Sequence, residues 1–301
     1  MAGVLERIRR AGRPSFHTLT PAQARVAYEA GAEVLDLPRA PLARVEALML
    51  PGGDGTPRPA RLYAAGPDPR PALLYLHGGG FVIGSLETHD SLCRQLALHS
   101  GWAVVALDYR LAPEHPFPAA VDDAFAAMKA LLAEPARYGL AGPLAVGGDS
   151  AGGTLAAACA LHARDLGLPL ALQLLITPGL TAHADTASHH LFANGFLLDR
   201  DAIAWFFDHY IPRGQRRDWR FAPLEAEVDG VAPASLLLAE CDPLVDEGLA
   251  YGDRLRAAGV AVELELFRGL THDFIKMGRA IPQAREALAA AARALRGAHA
   301  P

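Results

Sequence analysis

A glycine-rich turn in the middle of this 301-residue chain joins two apolar segments of different lengths. The short run 144–146 leads into the sequence GGDSAGG at residues 147–153, and a longer run rich in Ala and Leu follows. A strand that turns at once into a helix brings two backbones close together, so positions two before and two after the apex must lack bulky side chains. Gly148 and Gly152 meet this demand and place Ser150 at the apex. The pattern predicts a strand, a tight elbow and a buried helix.

The chain beyond Leu73 alternates between short β-rich runs and helical stretches rich in Ala and Leu. Parallel strands joined by crossover helices produce this alternation. The strand candidates are apolar runs that end at Gly, Pro, Asp or His, namely 73–76, 102–107, 144–146, 172–176, 235–238 and 262–267. We predict an α/β fold with a mostly parallel central sheet flanked by helices. Functional residues are expected at the carboxyl ends of the strands, where loops converge on one crevice.

Two helical segments do not fit this alternation of strands and helices, and we interpret them as parts of one helical cap. In the first, Thr20 caps and Pro21 opens a helix that precedes any strand. In the second, Asp199 precedes an aromatic helix that ends near Tyr210. The predicted boundaries are 1–45 and 184–220 for the cap, and 46–183 and 221–301 for the catalytic domain.

The charge and the cysteines exclude several classes of function. The net charge of −5 is interspersed along the chain, so we expect no nucleic-acid partner. Cys93, Cys159 and Cys241 lie far apart without a C-x-x-C spacing, which argues against a disulfide framework or a zinc site. No H-E-x-x-H or similar spacing appears, and we interpret the pair His189-His190 as cap surface. We therefore expect no metal and no cofactor.

The sequence shows no sign of secretion or of membrane insertion. The first ten residues lack an apolar core ahead of a small-residue cleavage site. The longest apolar stretch, around residues 168–176, contains Pro169 and Gln173 and falls short of the roughly 18 residues that a spanning helix needs. The expectation is a cytoplasmic protein that acts on a small molecule, as a monomer or a homodimer.

A second glycine run, His77 to Phe81, follows the strand candidate 73–76. Acyl transfer needs hydrogen-bond donors aimed at a developing oxyanion, and glycines allow close approach of backbone N–H groups. The candidate oxyanion hole comprises Gly78, Gly79, Gly80 and Ala151, the residue after the nucleophile. A phosphate-binding loop is disfavoured because Thr154, and not Lys, follows the glycines of residues 147–153.

A nucleophilic serine requires a base and an acid that orients the base. Asp242 stands after the strand candidate 235–238 with a proline behind it, and we predict that it is the acid. Glu240 and Asp246 are alternatives, although Asp246 fits a first-turn helix charge better. His272 follows the last strand candidate and is the predicted general base.

Four other histidines do not stand at a strand end in the same way, namely His115, His189, His190 and His209. His77 precedes the oxyanion glycines, and we predict that it braces their loop by hydrogen bonding. An unperturbed histidine base predicts activity that falls as the pH drops through about 6 to 7, unless neighbours shift it strongly.

Four ordered motifs, residues 77–81, 148–153, 242–246 and His272, together resemble the hormone-sensitive-lipase-like carboxylesterases, bacterial family IV of the α/β-hydrolase superfamily. The resemblance extends to residues 108–120 and covers nearly the whole chain. It implies an α/β-hydrolase fold with a cap, and a Ser-His-Asp esterase that hydrolyses short- to medium-chain acyl esters through an acyl-enzyme.

Two other kinds of function remain open at this point. Amide, lactone or deacetylation substrates share the same tetrahedral intermediate, so the motifs alone do not separate them from esters. A ligand-binding relative without catalysis would keep the pocket and lose a triad residue, whereas Ser150, Asp242 and His272 are all present here.

Overall fold

The computed structural model describes residues 1–298, and its centre is one sheet of eight strands. The strands are β1 (Arg44–Pro51), β2 (Pro57–Ala64), β3 (Ala72–Leu76), β4 (Ala103–Leu107), β5 (Leu144–Asp149), β6 (Gln173–Ile176), β7 (Ala234–Cys241) and β8 (Val262–Thr271). Their spatial order is β1-β2-β4-β3-β5-β6-β7-β8. The chain passes from β3 to β4 on one side and then returns to β5 on the other side of β3. Such a reversal of strand order opens a crevice for a ligand at the carboxyl ends of the strands.

The six strand candidates correspond to β3 through β8, and all of the pairs among these six are parallel. The predicted α/β fold with a mostly parallel sheet is therefore confirmed. The strands β1 and β2 are not predicted by the sequence pattern; they pair antiparallel with each other, and β2 pairs antiparallel with β4. β1 is largely exposed at the sheet edge, and β2 carries Pro57 and Pro59, so neither shows the pattern of a buried strand.

Nine α-helices are described in residues 1–298. They are α1 (Ala2–Arg10), α2 (Pro21–Gly31), α3 (Asp90–Ser100), α4 (Ala119–Ala133), α5 (Ala151–Asp165), α6 (Ala187–Leu191), α7 (Arg200–Tyr210), α8 (Val245–Ala257) and α9 (Pro282–Gly297). Apolar side chains of α4, α5 and α8 form a core with one face of the sheet. Those of α3 and α9 form a second core with the other face. The inner strands β3 to β7 are consequently buried on both sides, which explains their continuous apolar sequence.

The predicted helix starts follow from side-chain capping. The Thr20 hydroxyl accepts the N–H of Gln23, whose side chain accepts the Thr20 N–H in return, so a capping box starts α2. The Asp199 carboxylate accepts the N–H of Ala202 at 2.7 Å at the start of α7. Both helices therefore begin where the sequence predicts.

The proposed division of the chain into cap and catalytic domain stays a prediction. The helices α1 and α2 fall within the segment 1–45, and α6 and α7 fall within 184–220. The last three residues of the segment 221–301 lie outside the described residues. Within residues 1–298, no helix combines the length and the apolar character needed to cross a bilayer.

Candidate active site

Ser150 occupies the sharp turn between β5, which ends at Asp149, and α5, which begins at Ala151. Its backbone has φ 53° and ψ −121°, a conformation that residues with a side chain rarely adopt. The Ser150 N–H donates to the Ile176 carbonyl at 2.9 Å on the neighbouring strand, which holds the turn in place. The predicted elbow is therefore present, with the serine at the carboxyl end of β5.

The two glycines that flank the elbow have no room for a side chain. A Cβ on either Gly148 or Gly152 would overlap the Leu76 carbonyl oxygen of β3. Backbone cannot move aside as a flexible side chain can, so both positions require glycine. This steric demand is the physical reason for the G-x-S-x-G spacing in this chain.

His272 lies between Ser150 and Asp242. Its Nε2 is 2.9 Å from Ser150 Oγ, and its Nδ1 is 2.8 Å from Asp242 Oδ2. The other Asp242 oxygen, Oδ1, accepts the N–H of Leu244 at 2.9 Å, which fixes the carboxylate plane. The fold thus brings His272 to a serine 122 residues before it and to an aspartate 30 residues before it.

The alternative acids contact other groups. Glu240 accepts the Gly269 N–H at 2.7 Å through Oε2. Asp246, in the first turn of α8, accepts the Ser188 N–H at 2.8 Å. Among the described hydrogen bonds, His272 pairs with Asp242 and with neither of these two carboxylates.

The charge of Asp242 controls the protonation of His272. Burial alone would lower the pKa of the imidazole, but the negative charge of Asp242 and the hydrogen bond to it outweigh burial and raise the pKa to about 9. His272 is 6 % exposed and Asp242 is 1 % exposed, so solvent screens this pair poorly. These neighbours thus raise the pKa of His272 strongly, so the expected loss of activity moves to a higher pH than for an unperturbed histidine.

The glycine loop after β3 presents free backbone donors near Ser150. Gly79 has φ 121° and Gly80 has φ 58°, which turn the loop over the end of the strand. Within residues 1–298, the N–H groups of Gly79, Gly80 and Ala151 donate to no other residue. The Gly78 N–H differs, because it donates to Asp149 Oδ1 at 3.1 Å. Three of the four predicted oxyanion donors are therefore unoccupied, and the fourth holds the loop.

His77 is buried beneath this loop. Its Nδ1 lies 2.8 Å from the Gly78 carbonyl oxygen, and its ring stacks on Tyr109 with the centroids 4.3 Å apart. Burial, followed by the charge of nearby His89, lowers the pKa of His77 to about 3. A neutral histidine in this position agrees with the bracing role that the sequence predicts.

A cavity of about 990 Å³ opens above Ser150 and His272. Helices α1, α2 and α7 contribute much of its wall, and its lining is mainly apolar. Of the aromatic residues of α7, Phe206 and Phe207 line the cavity, whereas Tyr210 stacks on Phe81 in the core with 4.0 Å between the centroids. The helices predicted as cap thus shape the space in which a substrate would lie.

The pair His189-His190, in the segment after β6, does not lie wholly on the surface as the sequence predicts. His190 is exposed, but His189 is buried, so the pair is not simply cap surface. The His189 Nε2 faces Glu247 Oε1 at 3.5 Å, and its Nδ1 is 2.6 Å from the Thr186 hydroxyl. No local pattern signals this burial, because Glu247 lies on α8, far along the chain.

A comparison with models of protein families gives one match over residues 73–276, described as the alpha/beta hydrolase fold. These residues run from β3 through the His272 loop and include every candidate catalytic and oxyanion-hole residue. The chain belongs to this family. The resemblance to the hormone-sensitive-lipase-like carboxylesterases is thereby confirmed.

Curated relatives of this α/β hydrolase are ester hydrolases. The ethyl acetate hydrolase of Pseudomonas putida is 44 % identical over 82 % of the chain and 81 % of the relative. The carboxylesterase NlhH of Mycobacterium tuberculosis is 41 % identical over 81 % of each protein. This α/β hydrolase is accordingly a carboxylic ester hydrolase.

Solved structures of esterases have the same architecture. The ester-hydrolase EH1AB1 from the metagenome of Lake Arreo superimposes with a TM-score of 0.93 at 38 % identity, covering 98 % of this chain and 96 % of that one. The esterase of the archaeon Pyrobaculum calidifontis gives a TM-score of 0.89 at 37 % identity, covering 94 % and 95 %. The similarity extends over nearly the whole chain and is not confined to the sheet.

Proposed function

We propose that this α/β hydrolase cleaves short- to medium-chain acyl esters through an acyl-enzyme on Ser150, with His272 as general base and Asp242 as its orienting acid. The Ser150 oxygen attacks the ester carbonyl while its proton passes to Nε2 of His272. The same proton then goes to the leaving alcohol as the carbon–oxygen bond breaks. A water molecule, deprotonated by His272, attacks the acyl-enzyme and releases the acid.

The continuous hydrogen-bonded chain from Ser150 Oγ through both nitrogens of His272 to Asp242 Oδ2 is the observation that carries this proposal. A carboxylate accepts hydrogen bonds only, so Asp242 requires the proton on Nδ1. Nε2 is then the nitrogen that receives the serine proton. The acid thereby selects the tautomer that the reaction needs.

The oxyanion of the tetrahedral intermediate would be bound by the N–H groups of Gly79, Gly80 and Ala151. All three residues line the cavity, and their N–H groups have no partner in the described chain, so these donors are free to bond an anion there. Ala151 is also the first residue of α5, and the positive end of the helix dipole favours an anion there. Gly78 would act differently, by holding the loop through its bond to Asp149.

The apolar cavity supports an ester with an apolar acyl or alcohol group. Its volume of about 990 Å³ exceeds what an acetyl group fills, so medium-length chains fit within it. The name of the Pseudomonas putida relative, ethyl acetate hydrolase, supports small esters as substrates. We propose p-nitrophenyl esters from acetate to octanoate as productive substrates.

The test is hydrolysis of p-nitrophenyl esters from acetate to palmitate by the wild-type protein and by Ser150→Ala and His272→Ala. We expect a maximum at short to medium chains and a loss of kcat on the order of 10⁴-fold or more in both variants. Ser235→Ala is a matched control, because Ser235 is a buried serine of β7 that does not line the cavity. Undiminished activity in Ser150→Ala, or a maximum at palmitate, would contradict the proposal.

A further inference from the structure

A second histidine–aspartate pair lies beneath the candidate oxyanion loop. Asp149, which immediately precedes Ser150, and His89, at the start of α3, are each 1 % exposed. His89 Nε2 is 3.1 Å from Asp149 Oδ2. The other oxygen, Oδ1, accepts the Tyr75 hydroxyl at 2.5 Å and the Gly78 N–H at 3.1 Å. The Asp149 carboxylate therefore ties the elbow to the glycine loop.

The hydrogen-bond donors around Asp149 favour the ionised form of this carboxyl. Burial opposes ionisation, but Asp149 Oδ1 accepts both the Tyr75 hydroxyl and the Gly78 N–H, and the positive charge of Lys276 also acts on this carboxylate. An ionised carboxylate has no proton to give. The contact between the two side chains therefore requires a proton on His89 Nε2.

The other nitrogen of His89 faces a hydroxyl whose proton is already used. Nδ1 lies 2.8 Å from Thr88 Oγ1. That hydroxyl donates to the Ser85 carbonyl at 2.9 Å and accepts the Ser85 N–H at 2.9 Å. A hydroxyl has one proton and two lone pairs, so its remaining capacity toward His89 is that of an acceptor. Nδ1 must then carry a proton as well.

We infer that His89 is a buried imidazolium that positions Asp149. Asp149 in turn holds the oxyanion loop through the Gly78 N–H, and the positive charge of His89 neutralises the negative charge of Asp149 below that loop. An unpaired carboxylate at Asp149 would oppose the negative charge that develops on the substrate oxygen at Gly79. The cation of His89 removes this opposition and leaves the hydrogen bond to Gly78 intact. This role rests on the proposed function of Ser150 and the loop.

His77 lies beside His89 but differs from it in charge. The rings of His77 and His89 have centroids only 5.5 Å apart. Burial, and after it the positive charge of His89, lower the pKa of His77 and keep it neutral, and its Nε2 has no hydrogen-bond partner in the described chain. Tyr28 and Tyr75 also pack against the ring of His89. The titratable groups that interact with the charge of Asp149 further include Lys276, Tyr109, Cys93 and His272.

The kinetic test compares His89→Gln with the double variant His89→Gln/Asp149→Asn. Glutamine keeps a donor but removes the charge, so we expect kcat on p-nitrophenyl butyrate to fall about 10-fold or more with KM little changed. In the double variant both charges are gone, and the amide introduced at position 149 can still accept the Gly78 N–H and bond to the glutamine at position 89. Its kcat should exceed that of His89→Gln.

Several outcomes separate this role from a merely structural one. A double variant no more active than His89→Gln would overturn the charge-cancelling role. His162→Gln is the control, since His162 is a half-buried histidine of α5 that stacks on Phe125 and does not line the cavity, and it should keep wild-type kcat. Melting curves of all variants report whether each one folds.

A spectroscopic measurement tests the charge state directly and independently of catalysis. Proton–nitrogen correlation spectra of ¹⁵N-histidine-labelled Ser150→Ala protein should show two protonated nitrogens for His89 at the pH at which kcat is measured. The signal is assigned by its loss in Ser150→Ala/His89→Gln. A non-protonated nitrogen at His89 would overturn the inference even if Ser150 is the nucleophile. Conversely, an active Ser150→Ala protein would overturn the proposed function and leave the spectrum of His89 interpretable.

Discussion

The ring of Phe206 on α7 packs against the backbone of Gly80, so closely that a Cβ on Gly80 would overlap the ring. Gly80 also has φ 58°, a conformation that any other residue adopts only at a cost. A helix of the proposed cap therefore sets the position of a proposed oxyanion donor. The wall of the cavity and the proposed oxyanion loop are therefore linked through this contact.

Gly80→Ala should lower kcat by about 100-fold, comparable to the loss of one oxyanion donor. The double variant Gly80→Ala/Phe206→Ala removes the overlap but keeps the backbone strain, so it should recover part of this loss. Steady-state kinetics on p-nitrophenyl butyrate measures both. Equal kcat values for the single and the double variants would show that strain, and not the Phe206 contact, accounts for the effect.

The raised pKa of His272 determines the expected pH dependence of the reaction. The base must be neutral to accept the Ser150 proton, and charge attraction by Asp242 outweighs burial to raise its pKa from 6.5 to about 9. Consequently kcat/KM should rise about tenfold per pH unit below about pH 9 and level off above it. A pH profile that is already flat between pH 7 and pH 9 would contradict this expectation.

The same shift has a consequence for stability with a defined sign. Protonated His272 stabilises the folded state fully below the unfolded pKa of 6.5, and this contribution disappears as the pH rises to about 9. Asp242→Asn removes the negative charge that raises the pKa of His272. The rise of kcat/KM with pH should therefore move to lower pH, while kcat falls by about 10⁴-fold. Urea unfolding and the pH profile of the variant measure the two effects separately.

Strain at Ser150 predicts a difference between two inactive variants. Both Ser150→Gly and Ser150→Ala lose the hydroxyl that bonds to His272. Only glycine relieves the φ of 53°, so Ser150→Gly should be more stable than Ser150→Ala by about 1 kcal/mol. Chemical denaturation of the two variants gives this difference, and the reverse order would contradict the inferred strain.

The ionisation of Glu247 should lower the free energy of unfolding as the pH rises above 4.5. Its carboxylate accepts the N–H groups of Leu180 and Thr181, yet burial outweighs these bonds and raises its pKa from 4.5 to about 7. Because the folded state holds this proton more tightly, its ionisation should cost on the order of 3 kcal/mol as the pH rises from 4.5 to 7. Glu247→Gln should abolish that part of the pH dependence.

Unfolding in urea at several pH values measures the contribution of Glu247. The exposed carboxylate Glu286 on α9 provides the control variant Glu286→Gln, which should leave the dependence unchanged. A stability that rises between pH 4.5 and pH 7 to the same extent in wild type and Glu247→Gln would contradict the prediction.

Local rules predicted the residues that stand at strand ends. Ser150, Asp242 and His272 each follow a short apolar run, and parallel strands bring such positions to one edge of the sheet. The strand β1 escaped prediction because its exposed residues do not form an apolar period, and β2 because of its two prolines. Sequence periodicity therefore predicts the buried strands and fails at the sheet edge.

Local sequence patterns also do not predict the roles of residues whose partners lie far away in the chain. The contacts of Asp149 come from Tyr75, Gly78 and His89, which lie 60 to 74 residues earlier in the chain. The burial of His189 depends on a packing contact with Glu247 on α8. Only the tertiary structure brings these groups together, so short motifs carry no information about them.

The walls of the cavity and the proposed catalytic residues come from different parts of the chain. Helices α1, α2 and α7 supply the walls, whereas Ser150, Asp242 and His272 all lie on loops at the ends of sheet strands. Substitutions in these helices that avoid the Phe206 contact can alter which esters enter while the proposed catalytic residues stay as they are. The architecture thus allows substrate preference to diverge between related chains without reinvention of the chemistry, and it gives protein engineers separate access to selectivity and rate.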